Sequence, residues 1–172
     1  MENFKIHLDE AASIKELRCL SVFLGGDLQE NFGSAVLFLD NDYGKGKITL
    51  FELFPGLSLM KYDIKFAKEF TIERKLSSAR PCYFSYNFRG RIFQRFSHED
   101  RLQRIEQNQN LILVSEPGWN SIQIFPAHEA LKICVIKVDK VVLNTIESKP
   151  KRQLEAALQS VFTNDSDHMP YR

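Results

Sequence analysis

Residues 60–66 read Met60-Lys61-Tyr62-Asp63-Ile64-Lys65-Phe66. Successive side chains of a strand point to opposite sides, so Met60, Tyr62, Ile64 and Phe66 share one face while Lys61, Asp63 and Lys65 share the other. That alternation predicts a half-buried β-strand. Pro55-Gly56 before it is a turn dipeptide. Working outward, the same period of two, or a short apolar run between turn signals, predicts further strands. They lie at Ser34–Asp40, Lys47–Phe54, Phe70–Leu76, Cys82–Phe88, Arg91–Phe96, Asn110–Ser115, Trp119–Phe125 and Leu131–Val138. About nine strands spaced by roughly 8–12 residues are the pattern of an all-β barrel or sandwich. Asn41-Asp42-Tyr43-Gly44 reads as a turn, and Arg89-Gly90 as a tight hairpin whose glycine takes positive φ.

Helical spacing occurs near both ends. Ser13 and Glu16 have capping-box spacing, Ile14, Leu17, Leu20 and Leu24 follow on one side, and Gly25-Gly26 ends the run. From about Pro150 to Thr163, Leu154, Leu158, Val161 and Phe162 form a second apolar stripe, followed by a polar, linker-like tail. A helix this short is marginal alone in water, so the stripe needs a covering surface. That surface is either the chain's own barrel or a partner's copy of the same helix. The expected units are a β-rich barrel at 1–145 and a helix with linker at 146–172.

The chain has 172 residues, 44% hydrophobic and 26% charged, with a net charge of +1. This is the composition of an ordinary globular domain. It lacks the basic excess of a free-standing nucleic-acid binder. No apolar run is long enough for a transmembrane helix, and the N-terminus has no signal-peptide core. Cys19, Cys82 and Cys134 are too few and scattered for a disulfide framework. A cytoplasmic location without membrane association is expected.

The catalytic signals are weak. His7, His98, His128 and His168 include no His-x-His or His-x3-His pair, so no bound metal and no cofactor are expected. There is no Gly-x-Ser-x-Gly elbow, and Cys82 and Cys134 lie in apolar runs where a thiol is inert. Gly44-Lys45-Gly46-Lys47 lacks the spacing and following helix of a phosphate loop and reads as a turn. Arg89, Arg91, Arg95, Arg101 and Arg104 form a cluster that could grip an anion, although Glu99, Asp100 and Glu106 among them suit a solvated face. If one enters the interior, Arg91 or Arg95 suits best, being inside a strand. The aromatics say more. Tyr62, Phe66, Phe84, Tyr86, Phe93, Trp119 and Phe125 fall on alternate strand positions, which in a barrel line the interior. Tyr62, Tyr86 and Trp119 carry polar tips, so with Arg95 they are the candidate ligand-binding residues.

Several stretches carry a family likeness: Ile6-His7-Leu8-Asp9, Gly44-Lys45-Gly46-Lys47-Ile48, Tyr62-Asp63-Ile64, residues 81–92 from Pro81 through Tyr83-Phe84-Ser85-Tyr86 to Ile92, and Ile105 to Ile112. In order and local character they resemble the N-terminal domain of AraC-type transcriptional regulators, those of Bacteroidetes in particular, over about residues 5–145. The resemblance implies a cupin-like (jelly-roll) β-barrel that senses a small-molecule effector. It also implies a homodimer formed through the following helix, with 1–145 as the effector-sensing barrel, 146–172 as the dimerisation helix and linker, and Leu154, Leu158, Val161 and Phe162 as the candidate dimerisation residues. DNA contact would come through a C-terminal helix-turn-helix half for which this chain has no room. The expected function is thus a ligand-sensing and dimerisation domain, not an enzyme. The alternative is a stand-alone cupin enzyme, an isomerase or metal-dependent oxygenase.

Overall fold

The computed structural model describes residues 4–9, 14–75, 81–114 and 118–139. The expected C-terminal helix, with Leu154, Leu158, Val161 and Phe162, lies outside the described residues.

Among the described residues twelve strands and one helix follow in order: β1 Phe4–Asp9, α1 Ile14–Leu24, β2 Asp27–Asn31, β3 Ser34–Asn41, β4 Gly44–Phe54, β5 Leu57–Phe66, β6 Phe70–Lys75, β7 Cys82–Arg89, β8 Ile92–Phe96, β9 Gln103–Ile105, β10 Asn110–Val114, β11 Ser121–Phe125 and β12 Ala130–Val138. They form two sheets, a five-stranded one ordered β1-β6-β11-β8-β9 and a seven-stranded one ordered β10-β7-β12-β5-β4-β3-β2.

The connectivity identifies the fold. Strands β5 to β12 divide into two four-stranded halves, β10-β7-β12-β5 and β6-β11-β8-β9, and the chain crosses between the sheets at nearly every connection. Eight strands wound this way make a jelly roll, the fold of cupin domains. Strands β2, β3 and β4 extend one sheet, and β1 extends the other by pairing parallel to β6. The sheets do not close into a barrel, since no described strand is hydrogen-bonded into both.

The nine expected strands all form, with ends moved by a few residues, and β1, β2 and β9 add to them. Arg89-Gly90 does not make a hairpin. Gly90 does take positive φ (78°), but β7 and β8 belong to different sheets, so the turn carries the chain from one to the other. A side chain here would run into the Ala130 carbonyl and Leu131. Gly44-Lys45-Gly46-Lys47 opens β4. Gly46, at φ 135°, lies so close to the Asp63 carbonyl of β5 that no side chain fits.

The core lies between the sheets. Tyr62, Phe66, Phe70 and Phe125 pack ring to ring and fill one end of the interior, with Tyr62 and Phe125 centroids 5.4 Å apart and Phe66 and Phe125 5.6 Å apart. Helix α1 packs its buried Leu17, Leu20 and Leu24 against β1, β2 and β3. Each buried leucine contributes on the order of 1.5–3 kcal/mol. The carboxylate of Glu16 is held by Arg74 of β6, and Ser13, its expected capping partner, lies outside the described residues.

Candidate ligand-binding cavity

A cavity of about 50 Å³ lies in the interior beside Tyr62. One wall, from the seven-stranded sheet, carries Leu50, Met60, Leu111, Leu113 and Val135, with Ser58, Tyr83, Ser85 and Lys137 among them. The other, from the five-stranded sheet, is polar: Arg74 of β6, Gln94 of β8, and Ser121 and Gln123 of β11. Glu16 from α1 and Tyr62 from β5 complete the lining.

Register places the polar row. Ser121 pairs with Arg74 across β6 and β11, and Gln123 pairs with Gln94 across β11 and β8. The four therefore stand side by side on the inner face. Arg74 Nε and Nη2 donate to Glu16 Oε1 at 3.0 and 2.8 Å, Nη1 donates to Gln123 Oε1 at 3.1 Å, and Nη2 also reaches the Tyr62 hydroxyl at 3.3 Å. Four of the five guanidinium N–H groups are thus engaged. The side chains of Arg74 and Glu16 are only 13% and 11% exposed. Burial is the largest influence on Arg74 and opposes its charge, but the Glu16 carboxylate together with the Tyr62 and Tyr83 phenols outweighs it and holds the guanidinium protonated more firmly than usual. Burial also pushes the Tyr62 phenol up to about 12, with Arg74 pulling the other way and Glu16 adding to the rise, so Tyr62 is neutral at ordinary pH.

Gln94 is 2% exposed. Its Nε2 donates to Ser121 Oγ at 3.0 Å and to the Arg95 carbonyl at 3.1 Å. Its Oε1 has no hydrogen-bond partner. A buried acceptor left unpaired costs about 1–3 kcal/mol, and this oxygen is packed away from any accessible surface.

Of the sequence candidates, Tyr62 lines the cavity. Tyr86, Arg95 and Trp119 do not. On β7 the inner set is Tyr83, Ser85 and Asn87, so Phe84 and Tyr86 face the other way, and the Tyr86 hydroxyl sits 3.5 Å from Asn108 Oδ1. On β8 the inner residues are Ile92 and Gln94, leaving Phe93 and Arg95 outside, where Arg95 donates to the Glu99 carbonyl at 3.1 Å. Arg91 pairs with Glu129 at 2.9 Å on the surface. Trp119 precedes β11 and packs against His98 and Phe96, at ring centroid distances of 3.9 and 5.8 Å.

A transition metal needs several imidazole, thiolate or carboxylate ligands converging. The cavity lining offers no imidazole or thiol, and its one carboxylate is already held by Arg74. Among the described residues no three His, Cys, Asp or Glu side chains converge. His7 is exposed beside Glu73, and His128 is exposed in a turn at φ 60°. This donor set does not fit a metal of the kind cupin enzymes carry.

No family model matches the chain, and no curated protein matches it. Solved structures do. A cupin domain of Cnp3 from Schizosaccharomyces pombe is 14% identical, with 69% of this chain and 68% of that one covered at a TM-score of 0.42. The AraC-like transcriptional activator CuxR is 11% identical, with 66% and 41% covered at 0.43. The Fe(II) form of HppE is 13% identical, with 73% and 76% covered at 0.42. The chain spans less than half of CuxR, and half of a matched HTH_3 family regulator from Vibrio cholerae. Likeness at this level carries no assignment of function. The jelly roll itself rests on the strand order given above.

Proposed function

We propose that the chain is the effector-sensing and dimerisation domain of an AraC-like transcriptional regulator. The observation that carries this reading is the interior cavity, apolar on one wall and lined on the other by a hydrogen-bonded polar row without metal-binding donors. An apolar pocket with a few fixed polar groups is the usual form of a small-molecule site. The mechanism is linkage: an effector shifts the domain toward the arrangement that binds it better. Glu16 supplies the connection, because it lines the cavity and belongs to α1, which packs on β1, β2 and β3. The C-terminal stripe of Leu154, Leu158, Val161 and Phe162 would join two copies, and DNA contact would belong to a domain beyond this one.

Screening a small-molecule library by thermal unfolding tests the sensing role. A ligand at a hundred times its Kd stabilises by about 2.7 kcal/mol. Substituting Leu154→Glu together with Leu158→Glu should give a folded monomer by light scattering. Stoichiometric iron, zinc or manganese in untagged protein would instead favour the metal-dependent cupin enzyme.

A further inference from the structure

The outer face of the seven-stranded sheet is apolar at one end only. Residues that alternate with the cavity lining point outward, and Phe51, Leu59, Ile136, Phe84 and Ile112 stand in one row across β4, β5, β12, β7 and β10. The next row toward the same end runs Leu57, Val138, Cys82 and Val114, and the exposed Leu53 and Phe54 continue it at the β4–β5 turn. One step toward the other end the row is Thr49, Lys61, Cys134, Tyr86 and Asn110, and beyond it Lys47, Asp63 and Lys132 make an ordinary wet face. Ile136 is 39% exposed although β12 lies in the middle of the sheet. An apolar patch with such a polar rim marks a contact site. Helix α1 does not cover it, because Leu17, Leu20 and Leu24 place that helix on the core side.

The chain itself leaves from this patch. Val138 ends β12, and the Asp139 N–H donates to the Gly56 carbonyl at 2.7 Å, which fixes the exit beside the β4–β5 turn. The fifteenth residue after Asp139 is Leu154, first of the apolar stripe Leu154, Leu158, Val161 and Phe162. Fifteen extended residues cover up to about 50 Å, so the stripe reaches every part of the row. The row spans four strand spacings, about 19 Å, and the stripe, at 1.5 Å per helical residue, about 12 Å. Tethered this way, the stripe meets its own sheet at an effective concentration on the order of mM, which a second copy in dilute solution does not match. We infer that the stripe of Leu154, Leu158, Val161 and Phe162 docks on the outer face of its own chain's sheet, over the row centred on Ile136. The inference goes beyond the role proposed above. One stripe then serves either its own sheet or a second copy, so dimerisation has to lift it off first.

Methyl NOEs test this on the full chain. Isoleucine, leucine and valine methyls are labelled, and the labelled chain is measured alone and in a large excess of unlabelled chain, where only contacts within one chain survive. Leu59, Ile112 and Ile136 should show NOEs to Leu154, Leu158 or Val161 in both samples. The amides of 154–162 should exchange about ten-fold or more slowly than in a free peptide of that sequence, since so short a helix is marginal alone. Ile136→Glu should remove the NOEs and the protection, while the β5 amides keep theirs and show that the fold stands. Should that variant fail to fold, the wild-type NOEs decide alone. NOEs lost in the excess of unlabelled chain put the stripe on a partner's sheet, and NOEs between the stripes of two chains put it on a second stripe. Either result overturns docking on its own sheet and leaves the dimer reading standing. Stripe amides that exchange freely, or that keep their protection in Ile136→Glu, overturn it as well.

Discussion

Replacing Glu16 by leucine isolates the energetics of the cavity wall. The substitution keeps much of the side-chain volume and suits a helix. It removes both hydrogen bonds that Arg74 Nε and Nη2 make to the carboxylate. The guanidinium, 13% exposed, keeps Gln123 and Tyr62 as acceptors but loses its counter-charge. Removing one partner of a buried pair typically costs about 3–5 kcal/mol, because the other is left as an uncompensated charge. For a chain of this size each kcal/mol lowers the Tm by about 2–4 °C, so Glu16→Leu should melt roughly 6–20 °C below wild type. The double variant Glu16→Leu with Arg74→Met removes the stranded charge. It still orphans the Gln123 carbonyl and the Tyr62 hydroxyl, so it should remain less stable than wild type. It should cost about 2–3 kcal/mol less than the sum of the two single substitutions, a coupling typical of contacting residues. Urea unfolding at pH 7 with unchanged m-values gives the three numbers. If the single costs add up in the double variant, or if Glu16→Leu costs under 1 kcal/mol, the pair is not the internally balanced unit described above.

Other expectations follow from the same geometry. Glu73 accepts hydrogen bonds from Lys5 and Asn120, which hold its carboxyl below the usual carboxylate range. Its stabilising effect is therefore full above the unfolded-state pKa, near 4.3, and is lost as pH falls through the folded value. Glu73→Gln should flatten the acid side of the stability profile measured by urea unfolding. Tyr62, with its pKa pushed up to about 12, should titrate well above the ordinary phenol range in an ultraviolet pH titration. Its stabilising effect is full below pH 10 and is lost toward 12, and Tyr62→Phe should remove that late step. Gly46→Ala should cost at least about 2 kcal/mol in urea unfolding, since the new Cβ meets backbone on β5 at a positive φ.

The legible parts of the fold were those with one wet face and one dry face. Strand β5 alternates so regularly that Tyr62, Ile64 and Phe66 could be placed inside from sequence. Strand β7 could not be placed this way. Both its faces carry aromatics, and its inner side holds Ser85 and Asn87 because part of it borders a cavity. Reading the most apolar face as the inner one therefore inverted it, and β8 with it. Strands β1, β2 and β9 escaped for different reasons. Asp27-Leu28-Gln29-Glu30-Asn31 is a polar edge strand, β9 has three residues, and β1 is held by a parallel partner 66 residues away that short-range patterning cannot detect. Arg74 and Gln123 were readable in principle. Phe70, Ile72 and Arg74 alternate along β6, as do Ser121, Gln123 and Phe125 along β11, and both runs continue a dry face with a polar residue. What sequence could not supply was Glu16, which meets Arg74 only because α1 packs beside that end of the sandwich.

The place of β12 has a consequence for how the chain is made. It lies in the middle of its sheet, with β5 on one side and β7 on the other, and pairs Val138 with Leu57 and with Cys82. A ribosome releases β5 and β7 long before β12 exists, so each waits with an open hydrogen-bonding edge and an uncovered apolar face. Topologies ruled by such distant pairings fold in milliseconds to seconds, where local ones take microseconds. During that wait the half-made sheet is open to pairing with other copies of itself. A nascent chain stalled before Ala130 should accordingly be protease-sensitive and aggregation-prone, and one that has cleared Val138 should be neither.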